Sequence, residues 1–214
     1  MIAAPFGRLI TAMVTPFKAD LSVDWEGVET LAKHLVSTGH DAIVVSGTTG
    51  EAPTTSDDEK DELIRVVKAA VGNKVKVIAG AGNNETPHSV EQAIHAQKVG
   101  ADGLLVVTPY YNKPSQRGLI AHHTHIAESV AIPQILYNVP GRTACDMLPD
   151  TVVALAQVPN IVGIKEATGN LERGRELLQR CPKSFAIYSG DDATFLDLML
   201  MGAKGNISVT ANVA

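Results

Sequence analysis

Two rhythms alternate along the chain. Short apolar, β-branched runs read as buried strands at residues 9–14, 42–46, 75–79, 103–107, 134–137, 162–165, 186–189 and 206–209. Between them, apolar positions recur at helical spacing near residues 26–37, 58–71, 89–99, 116–129, 151–157, 171–180 and 194–201. The punctuation agrees with this reading. Gly39, Gly72, Gly100 and Gly202 follow helices as C-terminal caps, and Ser56 and Asp192 are placed to cap helix starts.

Repeated strand-then-helix units predict a parallel sheet, because parallel strands need a crossover and the helix supplies it. Eight strands suit a closed α/β barrel, the (β/α)8 TIM barrel, with a doubly wound open sheet as the alternative. Open-sheet nucleotide folds carry a glycine-rich first turn. Gly80-Ala81-Gly82-Asn83-Asn84-Glu85 begins in that way but has Glu85 where the third glycine belongs, and Gly47-Thr48-Thr49-Gly50-Glu51 lacks the Gly-Lys-Ser/Thr of a phosphate loop. Both failures favour the barrel. Residues 1–214 read as a single barrel domain that stops just after its eighth strand. No eighth helix follows, so that strand is expected to expose an outer apolar face, and the chain is expected to be incomplete at its C-terminus, since such barrels run to about 250 residues.

Composition narrows the function classes. With 45% hydrophobic and 19% charged residues the chain is an ordinary globular protein, and a net charge of −5 with interspersed signs leaves no basic footprint for nucleic acid. No apolar run approaches the ~18 residues of a membrane span. Cys145 and Cys181 have neither metal spacing nor a disulfide framework, so a reduced, soluble, cytoplasmic protein is expected.

The candidate chemistry lies where strands end. The run Ile161-Val162-Gly163-Ile164-Lys165 carries an ammonium into surroundings that disfavour charge, and a desolvated lysine amine is what a carbonyl compound needs to form an imine. The bland alternative leaves Lys165 at the strand tip with its head in water. Its neighbours at the same rim argue against that. Thr48-Thr49-Gly50-Glu51 follow strand two, Thr108-Pro109-Tyr110-Tyr111-Asn112 follow strand four, Tyr137-Asn138-Val139-Pro140-Gly141-Arg142-Thr143 close strand five, and Gly190-Asp191-Asp192 follow strand seven. Paired threonines beside glycines can bind a carboxylate without a full positive charge, a tyrosine near an amine can shuttle protons, and an arginine fork matches a second carboxylate. Asp191 and Asp192 read as helix-capping and loop-bracing groups. His122, His123 and His125 lie on a predicted helix away from this rim and read as a solvated face, not a metal site.

At these residues the sequence resembles the 4-hydroxy-tetrahydrodipicolinate (dihydrodipicolinate) synthases, in the superfamily that also holds N-acetylneuraminate lyase. The resemblance rests on the segments just quoted together with Gly163-Ile164-Lys165-Glu166-Ala167-Thr168-Gly169-Asn170, Ser189-Gly190-Asp191-Asp192 and Ser208-Val209-Thr210-Ala211-Asn212-Val213, in family order. It implies that Lys165 forms a Schiff base with pyruvate, and that Tyr137 donates and accepts the proton. Thr48 would link Tyr137 to Tyr111, which would reach in from a neighbouring subunit. Thr49 and the Ile207 backbone would hold pyruvate, and Arg142 would engage the carboxylate of L-aspartate 4-semialdehyde. It further implies a homotetrameric parent with a C-terminal helical domain, and no metal or organic cofactor. Another sugar-acid aldolase of the superfamily and a non-catalytic truncated barrel are the competing readings. Lys60 and His88 stand where lysine-inhibited members carry a histidine and a glutamate, so weak or absent inhibition by lysine is expected.

Overall fold

The computed structural model describes residues 4–214 as a closed barrel of eight parallel strands in chain order, β1 to β8, with β8 paired back to β1. The strands are β1 (Leu9–Ala12), β2 (Ala42–Val45), β3 (Lys76–Gly80), β4 (Gly103–Val107), β5 (Gln134–Asn138), β6 (Ile161–Glu166), β7 (Ala186–Ser189) and β8 (Gly205–Ser208). Around them run α1 (Trp25–Ser37), α2 (Asp57–Val71), α3 (Thr86–Val99), α4 (Gln116–Glu128), α5 (Pro140–Thr143), α6 (Pro149–Leu155), α7 (Leu171–Arg180) and α8 (Phe195–Met201). The predicted closed barrel is thus observed, and every predicted strand and helix is present with its ends shifted by at most three residues.

The shifts have local causes. α3 starts at Thr86, not at Ser89, because Pro87 is tolerated in a first helical turn. Ser89 bonds back to the loop instead, accepting from the Asn83 amide at 3.0 Å. α6 likewise begins on Pro149. Ser56 caps α2 in a full capping box with Glu59, as expected. α5 is a single turn too short for a periodic signal.

Alternation divides the core into layers. Ile10, Ala42, Val44, Ile78, Leu105, Ile135, Tyr188 and Ile207 point into the barrel and pack as one cluster. Phe6 plugs the floor against Gly103, where a β-carbon would lie 2.3 Å from the ring. The outward strand residues, such as Val45, Val77, Leu104 and Leu136, pack beneath the helices in two further clusters. Each fully buried Leu, Ile or Val contributes roughly 1.5–3 kcal/mol. With floor and sides filled by hydrocarbon, only the rim at the strand C-termini is left for polar chemistry.

At the seam, β8 departs from expectation. Its outward residues Asn206 and Ser208 are polar and only 5% exposed. The exposed apolar side chains nearby are instead Leu196 and Leu200 of α8, with Val209 and Val213 beyond the strand. Asn212 stitches the closing turn to β1, accepting from the Val14 amide at 3.1 Å and donating to the Ala12 carbonyl at 2.8 Å.

Candidate active site

β5 and β6 pair so that Tyr137 stands beside Lys165 and Asn138 beside Glu166. Strand alternation sends the first rung into the barrel and the second out toward the helices. Lys165 is 4% exposed, and its Nζ lies 4.5 Å from the centroid of the Tyr137 ring. Burial lowers its pKa to about 8; the Asp192 carboxylate opposes this shift and the Arg142 guanidinium adds to it. The lysine stem depends on an absent side chain, because a β-carbon at Gly190 would sit 2.8 Å from its Cε and 2.7 Å from the Ala167 Cβ. Burial raises the pKa of Tyr137, with Thr48 and Arg142 pulling the other way. A phenol that stays protonated beside an amine that can lose its proton is a competent acid–base pair.

Above this rung opens a cavity of about 400 Å³, whose lining includes Thr48, Lys60, His88, Tyr110, Tyr137 and Arg142. Its β2 side is a tight turn. Ser46 adopts a left-handed φ of 54°, the Glu51 amide donates to the Thr48 carbonyl at 3.2 Å, and Thr15 Oγ1 donates to the Gly50 carbonyl at 2.6 Å. The turn exposes the Thr48 side chain at the cavity wall and leaves Thr49 half-buried, outside that lining. Ile207 is fully buried inside the barrel on β8, paired with Ile10. Arg142 reaches the cavity from α5. Tyr111 does not: it is 87% exposed, at a φ of 74°. One chain therefore gathers Tyr137, Thr48 and Arg142 around one space, with Lys165 against the Tyr137 ring beneath it, and leaves Tyr111 turned out to solvent.

Two sequence-based expectations are corrected. Asp192 does not cap α8. Its carboxylate accepts from the Val209 and Thr210 amides at 3.2 and 3.0 Å, the Thr210 hydroxyl at 2.9 Å and Asn206 Nδ2 at 2.7 Å, bracing the end of β8. Burial pushes its pKa up, but these bonds win and hold it at about 2, so it is an anion. Asp191 is the residue that accepts from the Thr194 amide at the start of α8. The histidines are not a solvated face either. His122 and His123 are 5% and 0% exposed, and only His125 faces water. Burial lowers the His122 pKa to about 4, helped by His125, and lowers His123 well below its usual value. Both are neutral packing groups. His122 Nδ1 pairs with the Thr86 hydroxyl at 2.8 Å and His123 Nδ1 with the Gln134 amide at 3.1 Å. Residue type misled here, because histidine is read as polar whereas a neutral imidazole with one partner can fill a core.

Sequence reasoning did not foresee the bonding of two clusters, one beside the cavity and one behind the β5–β6 rung. On the α2–α3 side Asp57 collects Lys60 at 2.9 Å, His88 at 2.8 Å and Gln92 at 3.0 Å. The Lys60 bond comes first in holding its carboxyl well below the usual range. On the β5–β6 side, Asn138 Nδ2 donates to Asp146 at 3.0 Å, and Arg173 grips Asp146 with two bonds of 2.6 and 2.7 Å. Asn138 and Glu166 were visible as motif members, but nothing in their spacing assigns them partners 8 and 28 residues away.

Fold and site together define a class: (β/α)8 barrels with a buried amine at the strand tips, suited to imine chemistry. Comparison with known proteins makes the class specific. Residues 5–214 match the model of the dihydrodipicolinate synthetase family, and the chain belongs to that family. It is 58% identical over 205 residues to the 4-hydroxy-tetrahydrodipicolinate synthase of Stutzerimonas stutzeri, covering 96% of this chain and 70% of that protein. It is 55% identical over the same span to the enzyme of that name from Pseudomonas aeruginosa, with the same coverage. Among solved structures, the dihydrodipicolinate synthase of Bacillus anthracis superposes with a TM-score of 0.96 at 46% identity, covering 100% of this chain and 72% of that one. The chloride-inhibited enzyme of Acinetobacter baumannii, solved with pyruvate, does so with a TM-score of 0.96 at 49% identity, covering 99% and 72%. The chain thus spans about 70% of the length of these relatives.

Proposed function

We propose that the protein is a lyase that condenses pyruvate with L-aspartate 4-semialdehyde to give 4-hydroxy-tetrahydrodipicolinate, the committed step toward diaminopimelate and lysine. The observation that carries this reading is Lys165, an almost fully buried amine with its pKa lowered to about 8, against the Tyr137 ring. In this reading the neutral Nζ adds to the pyruvate keto carbon, and water leaves as the protonated imine forms. Thr48 and Thr49 offer hydroxyl and backbone donors to the pyruvate carboxylate, together with the Ile207 backbone. Tyr137 relays protons, and Arg142 faces the carboxylate of the semialdehyde. Loss of a methyl proton turns the imine into an enamine, whose carbon attacks the aldehyde. The amino group of the semialdehyde then adds to the imine carbon, closes the ring and releases Lys165. The imine nitrogen takes up the electron pair when the methyl proton leaves and returns it when the enamine carbon attacks the aldehyde.

The position of Tyr111 bears on assembly. An 87% exposed tyrosine at a φ of 74° is presented outward, which supports its delivery to the Thr48–Tyr137 relay of a second copy, and hence at least a homodimer. Among the described residues no helix is long and apolar enough to cross a membrane. A cytoplasmic location accords with a pathway of small charged intermediates.

Borohydride reduction in the presence of pyruvate, followed by peptide mass analysis, tests the reading. The expected result is a reduced pyruvate adduct on Lys165. A folded sample with no adduct, or one that turns over N-acetylneuraminate or a keto-deoxy sugar acid and not aspartate semialdehyde, overturns it.

A further inference from the structure

The rung directly behind the reacting one is also built from polar groups, and they are buried. Asn138 is 0% and Glu166 3% exposed, and they face each other across the β5–β6 pair one residue beyond Tyr137 and Lys165. Asn138 Nδ2 donates to Asp146 at 3.0 Å and to Glu166 at 3.4 Å, and its Oδ1 accepts from the Met147 amide at 3.0 Å. Glu166 Oε1 accepts from the Thr168 amide at 2.9 Å. Arg173, on the helix that follows β6, closes the set with its double grip on Asp146 and a 3.2 Å bond to the Met147 carbonyl. Four stretches of chain meet here: the ends of β5 and β6, the segment that returns from Arg142, and the first turn of α7.

We propose that the Asn138–Glu166–Asp146–Arg173 network is a positioning device for the reaction, acting through the backbone to lock Lys165 and Tyr137 face to face and to hold the Arg142 segment over them. This inference rests on the imine reading of Lys165 and goes beyond it to residues that touch no substrate. The physical argument has two parts. A buried amide and carboxyl must satisfy their hydrogen bonds, so a partner lost from this set leaves a stranded polar group that the strands move to relieve. Asn138 and Glu166 are also covalent neighbours of Tyr137 and Lys165, so any such movement reaches the reacting rung directly. A misplacement of about 1 Å is enough to cost about 100-fold in rate. The exposed ion pairs elsewhere on the barrel, such as Arg65–Glu62, have no such lever, because neither partner adjoins the site.

Asn138→Ala and Glu166→Gln test the device in the full chain. Two readouts are needed: the pH midpoint for labelling of the Lys165 amine by trace acetic anhydride, and the rate of borohydride trapping with pyruvate. The wild-type midpoint is expected near 8. In Asn138→Ala it should move up by about one unit as water reaches the amine, with trapping at pH 8 slowed about 30-fold and a smaller effect of the same sign in Glu166→Gln. Wild-type midpoint and trapping rate in both variants, with only thermal stability lowered, would overturn the proposal and leave the network a structural brace. If Asn138→Ala does not fold, Arg173→Lys, which keeps the charge and loses the fork, supplies the same two readouts. The imine reading fails separately, if wild-type Lys165 labels with its depressed midpoint and pyruvate leaves no adduct; the midpoint still judges the network.

Discussion

Two carboxylates organise polar clusters near the site, Asp57 beside the cavity and Asp146 behind β5 and β6, and their surroundings differ. Asp57, on the α2–α3 wall, has three side-chain partners, yet its own side chain is 52% exposed. Asp146, on the β5–α7 wall, is 35% exposed but bound to an arginine that is 15% exposed and to a fully buried asparagine. Partner counts are similar. The cost of losing a partner is not, because water replaces a lost bond at Asp57 and cannot reach Asn138 or Glu166. The first wall can therefore drift in sequence with little effect on the fold, and the second cannot.

Breaking the buried wall should have the largest effect. Arg173→Leu strands Asp146 and the Met147 carbonyl, and a loss of about 3 kcal/mol in urea unfolding is expected, at the low end for a buried pair because Asp146 keeps some water. A loss below about 1 kcal/mol would put both walls in the same class. Gly190→Ala probes the lysine side of that wall without touching a polar group. The added methyl collides with Lys165 Cε and Ala167, and trapping by pyruvate should fall about 100-fold, an effect equivalent to about 2.7 kcal/mol, in a protein that still folds.

Buried groups without charge give the next effect. His122 has its folded-state pKa lowered from 6.5 to about 4, so between those values the unfolded chain binds more protons than the folded one. Stability from this group is complete above pH 6.5 and is lost as pH falls toward 4, amounting to about 2 kcal/mol at pH 5. His123, also lowered, adds a loss of the same sign. Urea midpoints measured from pH 7 to pH 4.5 should fall steeply in the wild type and less steeply in His122→Gln. Parallel slopes would place the acid sensitivity elsewhere.

How much of this was legible in the sequence follows the same division. Strand order, the closed barrel and the residues at its rim could be read, because β-branched runs and glycine caps are local signals. Lys165 was legible from its position at the end of an apolar strand. Tyr137, Thr48 and Arg142 followed from the family segments and converge in space. Partnerships were not legible. Asp192 reads as a helix cap from its place before α8, but the amides beyond β8 compete for it and win. Nor does sequence spacing show that His123 is enclosed by the barrel wall or that Arg173 reaches Asp146. Such bonds depend on which faces the barrel brings together, information that exists only once the chain has closed.

The exposed wall supplies the smallest effect. Asp57→Asn keeps the shape of the side chain and removes its charge, and unfolding stability should change by less than about 1 kcal/mol, with Lys165 trapping unchanged within about twofold. The same wall carries the expected insensitivity to lysine. A structure of the dihydrodipicolinate synthase from Cyanidioschyzon merolae was solved with lysine bound. Here Lys60 and His88 line the cavity on this wall, and the Asp57 carboxylate that would otherwise welcome an ammonium is already taken up by both of them. A free lysine entering there meets a resident cation and a carboxylate that already accepts three hydrogen bonds. Millimolar lysine should leave the rate of pyruvate trapping unchanged, and Lys60→His should gain sensitivity to it. Inhibition of the wild type by submillimolar lysine would mean that the Asp57 cluster opens at little cost, the behaviour expected of a wall held only by exposed pairs.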